Sequence, residues 1–394
     1  MMKVALITER ADIALGGAER SVFELCEALQ NTGLDAHIVA AKGNRQQDWE
    51  NVHLLCEDIP GKRTKLSAFE HKLKIFLSEN KFDIIHSVLP FDFADVYQPR
   101  GGSYAEAIIR NAASYNNSFI TAYKKLTSFA NLRRTYLHKA ERKLCSNPNG
   151  PIIAALSNYV AGQFTKHYDV NSERIAVIHN GIKTENKIDE NAVENLQKKL
   201  WAKFSLTKQD KPIFLLFAAN NFRLKGLKTL IKAIQLLTEK ITGCPFYLVV
   251  AGNGDKKKYL QLAQRLSVSN RIFFYGPVEN IRELLEPADI AVLPTFYDPS
   301  SRFILESLAA GKPVITTSFN GAAELFEDNR HGLKINDPTD EKQLAEALAF
   351  FAERQNICNF SNNIIADKIK DKVSITRAAR EVTELYKSIQ AHDR

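Results

Sequence analysis

Cysteine is scarce and scattered in this sequence: five residues in 394, at positions 26, 56, 145, 244 and 358. No two stand at the common zinc spacings, and the pattern gives no disulfide framework of a small secreted domain. A reducing, cytoplasmic setting is expected. Long apolar runs are missing too; none approaches the ~20 residues that span a bilayer. The strand-like run Lys3–Thr8 stands where a signal peptide would carry its apolar segment, so no signal peptide is expected. No G-x-G-x-x-G follows the first strand of either half, which argues against a dinucleotide-dependent dehydrogenase. Low-complexity tracts and repeats of solenoid period are absent. Acidic residues are outnumbered, 45 Asp and Glu against 53 Lys and Arg, for a net charge of +8. That excess suits nucleic acid, an anionic membrane surface or a phosphorylated substrate, and equally a basic surface kept for solubility. Its distribution along the chain has to decide.

What is present reads as a soluble globular protein, 45% hydrophobic and 25% charged. The length exceeds what one core usually serves, so two domains are expected. A buried strand (Val4–Ile7), a loop with Gly16-Gly17, a helix (Glu19–Asn31) capped near Gly33 and a strand (Ala36–Ala40) make a βαβ unit. A strand at Asp83–Val88 extends the same sheet. Residues 103–145 read as helical, aromatic and basic. Strands return at Ile152–Ala155 and Ile175–Ile178, and a turn follows at His179-Asn180-Gly181. A second α/β series starts at Ile213–Ala219 and alternates strands and helices through Val314–Thr317, ending in a short helix near Ala322–Glu327. The fold class is α/β, with two doubly wound parallel sheets. The expected division is 1–181, 182–372 and a C-terminal helix, 373–394, packing back on the first domain.

Ligands of open α/β sheets bind at the carboxyl ends of the strands. In the second half, strand Ile290–Pro294 runs through Asp298-Pro299-Ser300-Ser301 into helix Arg302–Ala310. The helix start offers N–H groups and partial positive charge, and Asp298 and Glu306 bracket it. The plain alternative is that Ser300 or Ser301 caps the helix, Asp298 complements its dipole and Glu306 is solvated. Strand Ile213–Ala219 ends in Phe222-Arg223-Leu224-Lys225-Gly226, which places two cations at the same sheet edge, suited to a diphosphate.

These residues resemble a known family. DPSSRFILESLAAG (Asp298–Gly311), followed by KPVITT, resembles the E-x7-E signature of retaining glycosyltransferases of family 4, which have the GT-B fold. Gly16-Gly17-Ala18-Glu19-Arg20 resembles that family's first-loop GGAER, VIHNGI (Val177–Ile182) its interdomain segment, and FRLKG (Phe222–Gly226) its diphosphate motif. The resemblance implies two Rossmann-like domains facing across a cleft, the first for the acceptor and the second for a nucleotide sugar. It implies that Glu306 binds the ribose and Asp298 the 3- and 4-hydroxyls of the donor sugar. Backbone amides of Ser300, Ser301 and Arg302 would support sugar and phosphates, and Lys225 with Arg223 would hold the diphosphate. Gly16 and Gly17 would let the first loop approach it, and the backbone near Val278 would contact the base. The signature's first acid is Asp298 where Glu is usual, which bears on the donor sugar more than on the reaction. No metal and no cofactor are expected; UDP-glucose is the donor substrate the resemblance implies. UDP-galactose, UDP-N-acetylglucosamine and GDP-mannose stay open.

Within the family the chain resembles bacterial lipopolysaccharide core glucosyltransferases. DVYQPRGGSYAE (Asp95–Glu106) resembles their acceptor-side segment, with Asp95 at an acidic position facing the reaction centre. The basic stretch Lys124, Lys125, Arg133, Arg134, Lys139, Arg142 and Lys143, against only Glu141, resembles their membrane-contacting patch, with Tyr123, Phe129, Tyr136 and Leu137 as apolar anchors. An ordinary solvated helix face accounts for the same charges. Lys62 and Arg63 could meet phosphates on an acceptor or lie in a plain exposed loop. His86 either lines the cleft or is a satisfied core histidine, and His179 reads as a hinge residue. The expected partners are a nucleotide sugar, a glycolipid or lipopolysaccharide core acceptor and, peripherally, the inner face of the cytoplasmic membrane; no nucleic acid is expected. The alternatives are a nucleotide-sugar epimerase, a phosphorylase on the same fold, and a non-catalytic nucleotide-sugar or membrane-surface binding protein.

Overall fold

The computed structural model describes residues 1–44, 50–61, 63–127, 131–185, 188–207 and 209–392. The chain forms two compact units. The first comprises Met1–Ile108, Leu126–Lys183 and Ser374–Arg394; the second comprises Ile109–Lys125 and Thr184–Val373.

Among the described residues the first unit holds seven strands: β1 (Lys3–Ala11), β2 (Asp35–Gly43), β3 (Val52–Leu54), β4 (Ile84–Ser87), β5 (Val96–Tyr97), β6 (Ile152–Ala155) and β7 (Ile175–Val177). They form one parallel sheet in the order β3-β2-β1-β4-β5-β6-β7. Buried apolar residues run through β1 and β2, as a sheet covered on both faces requires. Helix Gly17–Asn31 follows β1 and buries Val22, Leu25, Cys26 and Leu29, one stripe at helical spacing. It ends where Gly33 takes a φ of +87° and donates its N–H to the Gln30 carbonyl at 2.9 Å. The C-terminal helix Ile375–His392 belongs to this unit and joins the same core through Ala379, Val382 and Tyr386. Val382 is 1% exposed, so its burial contributes about 1.5–3 kcal/mol.

Among the described residues the second unit holds six strands: β8 (Ile213–Ala218), β9 (Phe246–Ala251), β10 (Ile272–Gly276), β11 (Ile290–Leu293), β12 (Val314–Thr317) and β13 (Gly332–Ile335). Their order is β10-β9-β8-β11-β12-β13, again parallel throughout. This is the doubly wound order, in which the chain starts at the centre, builds to one edge, then returns and builds to the other. The expected short helix after β12 is a 3-10 turn, Gly321–Glu324.

Segment Ile109–Lys125, expected within the first domain, packs with the second unit. Arg110 lies over the Phe319 ring at 3.8 Å, and Asn111 and Ser114 accept hydrogen bonds from Arg223. Among the described residues no helix is long and apolar enough to cross a membrane.

Candidate functional site

In the second unit the strand order reverses between β8 and β11, and the loops leaving these two strands meet at their carboxyl ends. Such a switch point is where an open α/β sheet leaves a crevice for a ligand. Gly226 makes the meeting possible. Its φ is +80°, and a Cβ at this position would stand 2.0 Å from the Pro294 carbonyl oxygen. The loops are then pinned by the Phe296 N–H, which donates to the Leu224 carbonyl at 2.9 Å.

Lys225 reaches from the first loop to the second. Its Nζ donates to Asp298 Oδ2 at 2.6 Å and to the Tyr297 carbonyl at 2.8 Å. The two side chains are 19% and 15% exposed, so salt screens this pair less than a surface pair. The other Asp298 oxygen accepts the Ser300 N–H at 3.2 Å. The Asp298 backbone is clamped on both sides, donating to the Phe319 carbonyl and accepting from the Gly321 N–H, each at 2.9 Å. Helix Arg302–Ala309 starts four residues on.

The capping alternative is not what the structure has. Ser301, at the N-cap, makes no side-chain cap bond. Ser300 is 7% exposed, and its Oγ has no hydrogen-bond partner. A buried hydroxyl without a partner costs free energy, and the first N–H groups of a helix have no partner within it. Together they make a helix start able to receive oxygen anions or sugar hydroxyls. Glu306, one turn along, accepts from Arg302 Nη2 at 3.2 Å, with both side chains 13% exposed.

Arg223 does not join Lys225. Its guanidinium donates to the Asn111 carbonyl at 2.9 Å, to Asn111 Oδ1 at 2.7 Å and to Ser114 Oγ, and it stacks on Tyr115 at 3.8 Å. Burial lowers its pKa from the usual arginine value. Within one turn the two expected diphosphate cations thus point to different partners, Lys225 to Asp298 and Arg223 to Asn111 and Ser114.

The first unit distributes the remaining candidates. Gly16 and Gly17 head the helix that follows β1. Asp95, expected to face the reaction centre, precedes β5 at the amino end of that strand, and its Oδ2 accepts the Ile85 N–H at 2.6 Å, which makes it a strand clip away from the carboxyl edge. His86 is fully buried, with Nδ1 2.6 Å from the Tyr386 hydroxyl, and burial depresses it to about 3. It is a core histidine rather than a cleft residue, bonded through Nδ1 while its buried Nε2 has no hydrogen-bond partner. The His179 and Asn180 carbonyls accept from Arg377 at 2.8 and 3.0 Å, so the expected hinge residue is tied to the C-terminal helix. Glu141 is buried beneath Tyr97, Tyr104 and Tyr168 and is no part of a basic surface.

Val278 is half-buried just after β10, in the second unit. Of the basic stretch, Lys124 lies in the second unit, while Arg133, Arg134, Lys139, Arg142 and Lys143 lie in the first. Arg133 pairs with Glu9, and Lys143 with Asp92 at 2.7 Å. Arg63 is exposed. Lys62, Phe129 and the Lys125 side chain lie outside the described residues.

Asn320 is a site residue the sequence reading missed. Its Oδ1 accepts the N–H groups of Ser301 and Ala322, each at 3.1 Å, and its Nδ2 donates to Thr316 at 3.0 Å. The Asn320-Gly321 turn signal after β12 could have found it.

The two doubly wound units have the architecture of the GT-B fold. Residues 15–186 match the family model "Glycosyltransferase Family 4", and residues 199–371 match "Glycosyl transferases group 1". Together the two matches span most of the chain, which is thus built of a family 4-like and a group 1 glycosyltransferase domain. It is similar to lipopolysaccharide glucosyltransferase WaaG of Escherichia coli (strain K12), 28% identical over 219 residues, which are 55% of this chain and 58% of that one. The match thus spans under two thirds of that relative's length. A crystal structure of WaaG, a glycosyltransferase involved in lipopolysaccharide biosynthesis, superposes with a TM-score of 0.76 at 20% identity, covering 97% of this chain and 99% of that one. Anabaena Alr3699/HepE in complex with UDP-glucose superposes at 0.73 and 17% identity, covering 98% and 100%. At these identities the superpositions establish the fold.

Proposed function

We propose that this chain transfers a hexose, glucose from UDP-glucose, to a lipopolysaccharide core or related glycolipid acceptor, with retention of the anomeric configuration and without a metal ion. The observation that supports this reading is the helix start at Ser300–Arg302. It holds an unpartnered buried hydroxyl, on Ser300, and an N-cap serine whose side chain makes no cap bond, beside the Lys225–Asp298 pair. Asp298 accepts hydrogen bonds from the hydroxyls of the donor sugar. Lys225 turns from Asp298 to the diphosphate, and Glu306 takes the ribose.

In the reaction, the bond between the anomeric carbon and the diphosphate oxygen breaks, and its electron pair leaves with UDP. The acceptor hydroxyl oxygen bonds to the anomeric carbon from the same face. Its proton passes to the departing phosphate oxygen, so no separate protein base is needed. This accords with the Asp95 carboxylate being held by a backbone N–H. Lys225 Nζ and the helix N–H groups stabilise the charge that develops on the diphosphate.

The test is Lys225→Ala. Removing one preorganised donor from a developing anion costs about 10²- to 10³-fold in turnover. Activity should survive EDTA, and NMR of the product should give the donor's own anomeric configuration. Full activity in Lys225→Ala, strict dependence on a divalent ion, or an inverted product would each defeat the proposal. Thermal-shift measurements across nucleotide sugars decide the donor, because a ligand bound only by the native state raises apparent stability. A shift with GDP-mannose and none with UDP sugars would replace the donor named here.

The net charge and the exposed residues Phe119, Tyr123 and Lys124 on helix Ser118–Leu126 support peripheral attachment to the inner face of the cytoplasmic membrane.

A further inference from the structure

The loop that carries Lys225 borders a second concavity. A cavity of about 240 Å³ is lined by the start of helix Leu227–Lys240, by helix Lys257–Arg265 and by the Ser114–Asn116 turn. Lys225, Asp298, Ser300 and Glu306 are not among its lining residues, so it is distinct from the candidate donor site. Four cations line it, Arg223, Lys228, Lys258 and Arg265, and among the described residues no carboxylate does.

The cavity thus gathers positive charge with no lining acid to offset it. Lys228, Lys258 and Arg265 are exposed, and the described residues show no ion pair for any of them. Lys258 has only the face of Tyr259, 4.9 Å away. Arg223, the innermost cation, is fixed by Asn111, Ser114 and the Tyr115 ring. Those bonds use three of the five N–H donors of a guanidinium, so donors remain for a ligand. Like charges around a concavity repel one another and focus their field on an anion within it. A planar, pre-positioned guanidinium matches the oxygens of a phosphate, while the flexible lysines add point charge. The volume is about eight times a water's share of the liquid, which leaves room for a phosphate and one sugar ring.

We propose that this cavity is a phosphomonoester site, separate from the donor site, whose occupant is a small sugar phosphate or the phosphate headgroup of a lipid. The two sources share the recognising chemistry: a dianionic phosphate held by Arg223 and ringed by Lys228, Lys258 and Arg265.

The experiment uses the full chain and the double variant Lys258→Ala/Arg265→Ala. Both positions are exposed on one helix and lie outside the proposed catalytic machinery. Binding of glucose 6-phosphate is measured by calorimetry, and binding of phosphatidic acid by co-sedimentation with vesicles containing it; UDP binding is measured alongside. The wild type should bind at least one phosphate probe saturably, and binding should weaken as salt rises. The double variant should bind that probe at least about tenfold more weakly with unchanged UDP affinity. Saturation by the sugar phosphate alone marks a soluble ligand, and by the vesicles alone a headgroup. The proposal is overturned if neither probe saturates, if the double variant binds as the wild type does, or if UDP displaces the phosphate competitively. UDP binding is read separately, so failure here leaves the donor reading standing, and failure of UDP to bind leaves the phosphate result interpretable.

Discussion

Glu141 offers a sharp test of how the first unit is built. It sits on helix Leu132–Ser146, fully buried, and accepts from the Tyr97 hydroxyl at 2.8 Å, the Tyr104 N–H at 2.7 Å and the Tyr168 hydroxyl at 2.5 Å. Burial pushes its carboxyl up from 4.5 to about 7, against the pull of those three bonds. A carboxyl raised on folding contributes stability that is complete below its unfolded value and is lost as pH climbs through the folded one. The difference between 7 and 4.5 is 2.5 units, so ionising Glu141 in place removes about 3 kcal/mol across that window. Glu141→Gln cannot ionise, so the variant should gain about 3 kcal/mol on the wild type between pH 5 and pH 8.5. The measurement is urea unfolding by far-UV circular dichroism at both pH values, comparing the two proteins within each transition. The wild-type curve alone would hide the effect. His86, depressed to about 3, contributes stability that is lost as pH falls below 6.5, and the two trends oppose one another between 4.5 and 6.5. A difference that stays flat with pH, or that favours the wild type at high pH, would refute the reasoning.

Three further outcomes are expected. His86→Phe should remove the acid-side loss, flattening stability by about 2 kcal/mol between pH 6.5 and pH 5 relative to wild type; an unchanged slope in the same unfolding series would count against a buried neutral imidazole. Gly226→Ala should destabilise the second unit by about 3 kcal/mol or displace the loop, because its Cβ would meet the Pro294 oxygen; calorimetric UDP binding should weaken with it, and intact binding would contradict the loop geometry. Neutralising Lys124, Lys125, Arg133 and Arg134 should abolish co-sedimentation with anionic liposomes at about 1 kcal/mol per charge. Restoring Arg133 alone should recover little of it, since Glu9 already holds that side chain.

The fold could be read closely from the sequence because its central strands are unbroken apolar runs bounded by turn residues. Ile152–Ala155 and Val314–Thr317 fall where expected and most others shift by a residue, while β1 and β2 run on to Ala11 and Gly43, four and three residues past the expected ends. What escaped were elements whose apolar content is small or borrowed. β5 is two residues long, and β3 and β13 are short edge strands paired on one side. Their pairing comes from the neighbouring strand and leaves little period in their own residues. The same limit explains Asp95. An acid preceding a short apolar pair gives no sign of which sheet edge it faces, and here its partner is a backbone N–H ten residues earlier, in β4. The Asp298–Glu306 stretch was readable because strand, turn and helix all lie within it. The Arg223 partners were not, because Asn111 and Ser114 lie more than a hundred residues away in sequence.

Arg223 and Lys225 show why spacing underdetermines a charged site. In an extended strand, residues two apart share a face, and a pair of cations there would converge on one anion. These two lie instead in the turn that Gly226 closes with a positive φ, where the alternation is broken. Lys225 falls on the side of the β11 loop, and its charge meets Asp298 at 2.6 Å. Arg223 falls toward Tyr115, where three hydrogen bonds and a ring face hold its guanidinium. Moving Arg223 to a diphosphate would require giving up those bonds, each from a charged donor and worth about 1.5–3 kcal/mol. Lys225 has only to exchange one anionic partner for another within the same pocket of charge. On the proposed readings, the turn therefore gives Lys225 to the donor site and Arg223 to the cavity it lines. Substituting Arg223 should weaken phosphomonoester binding more than UDP binding, while Lys225→Ala should do the reverse.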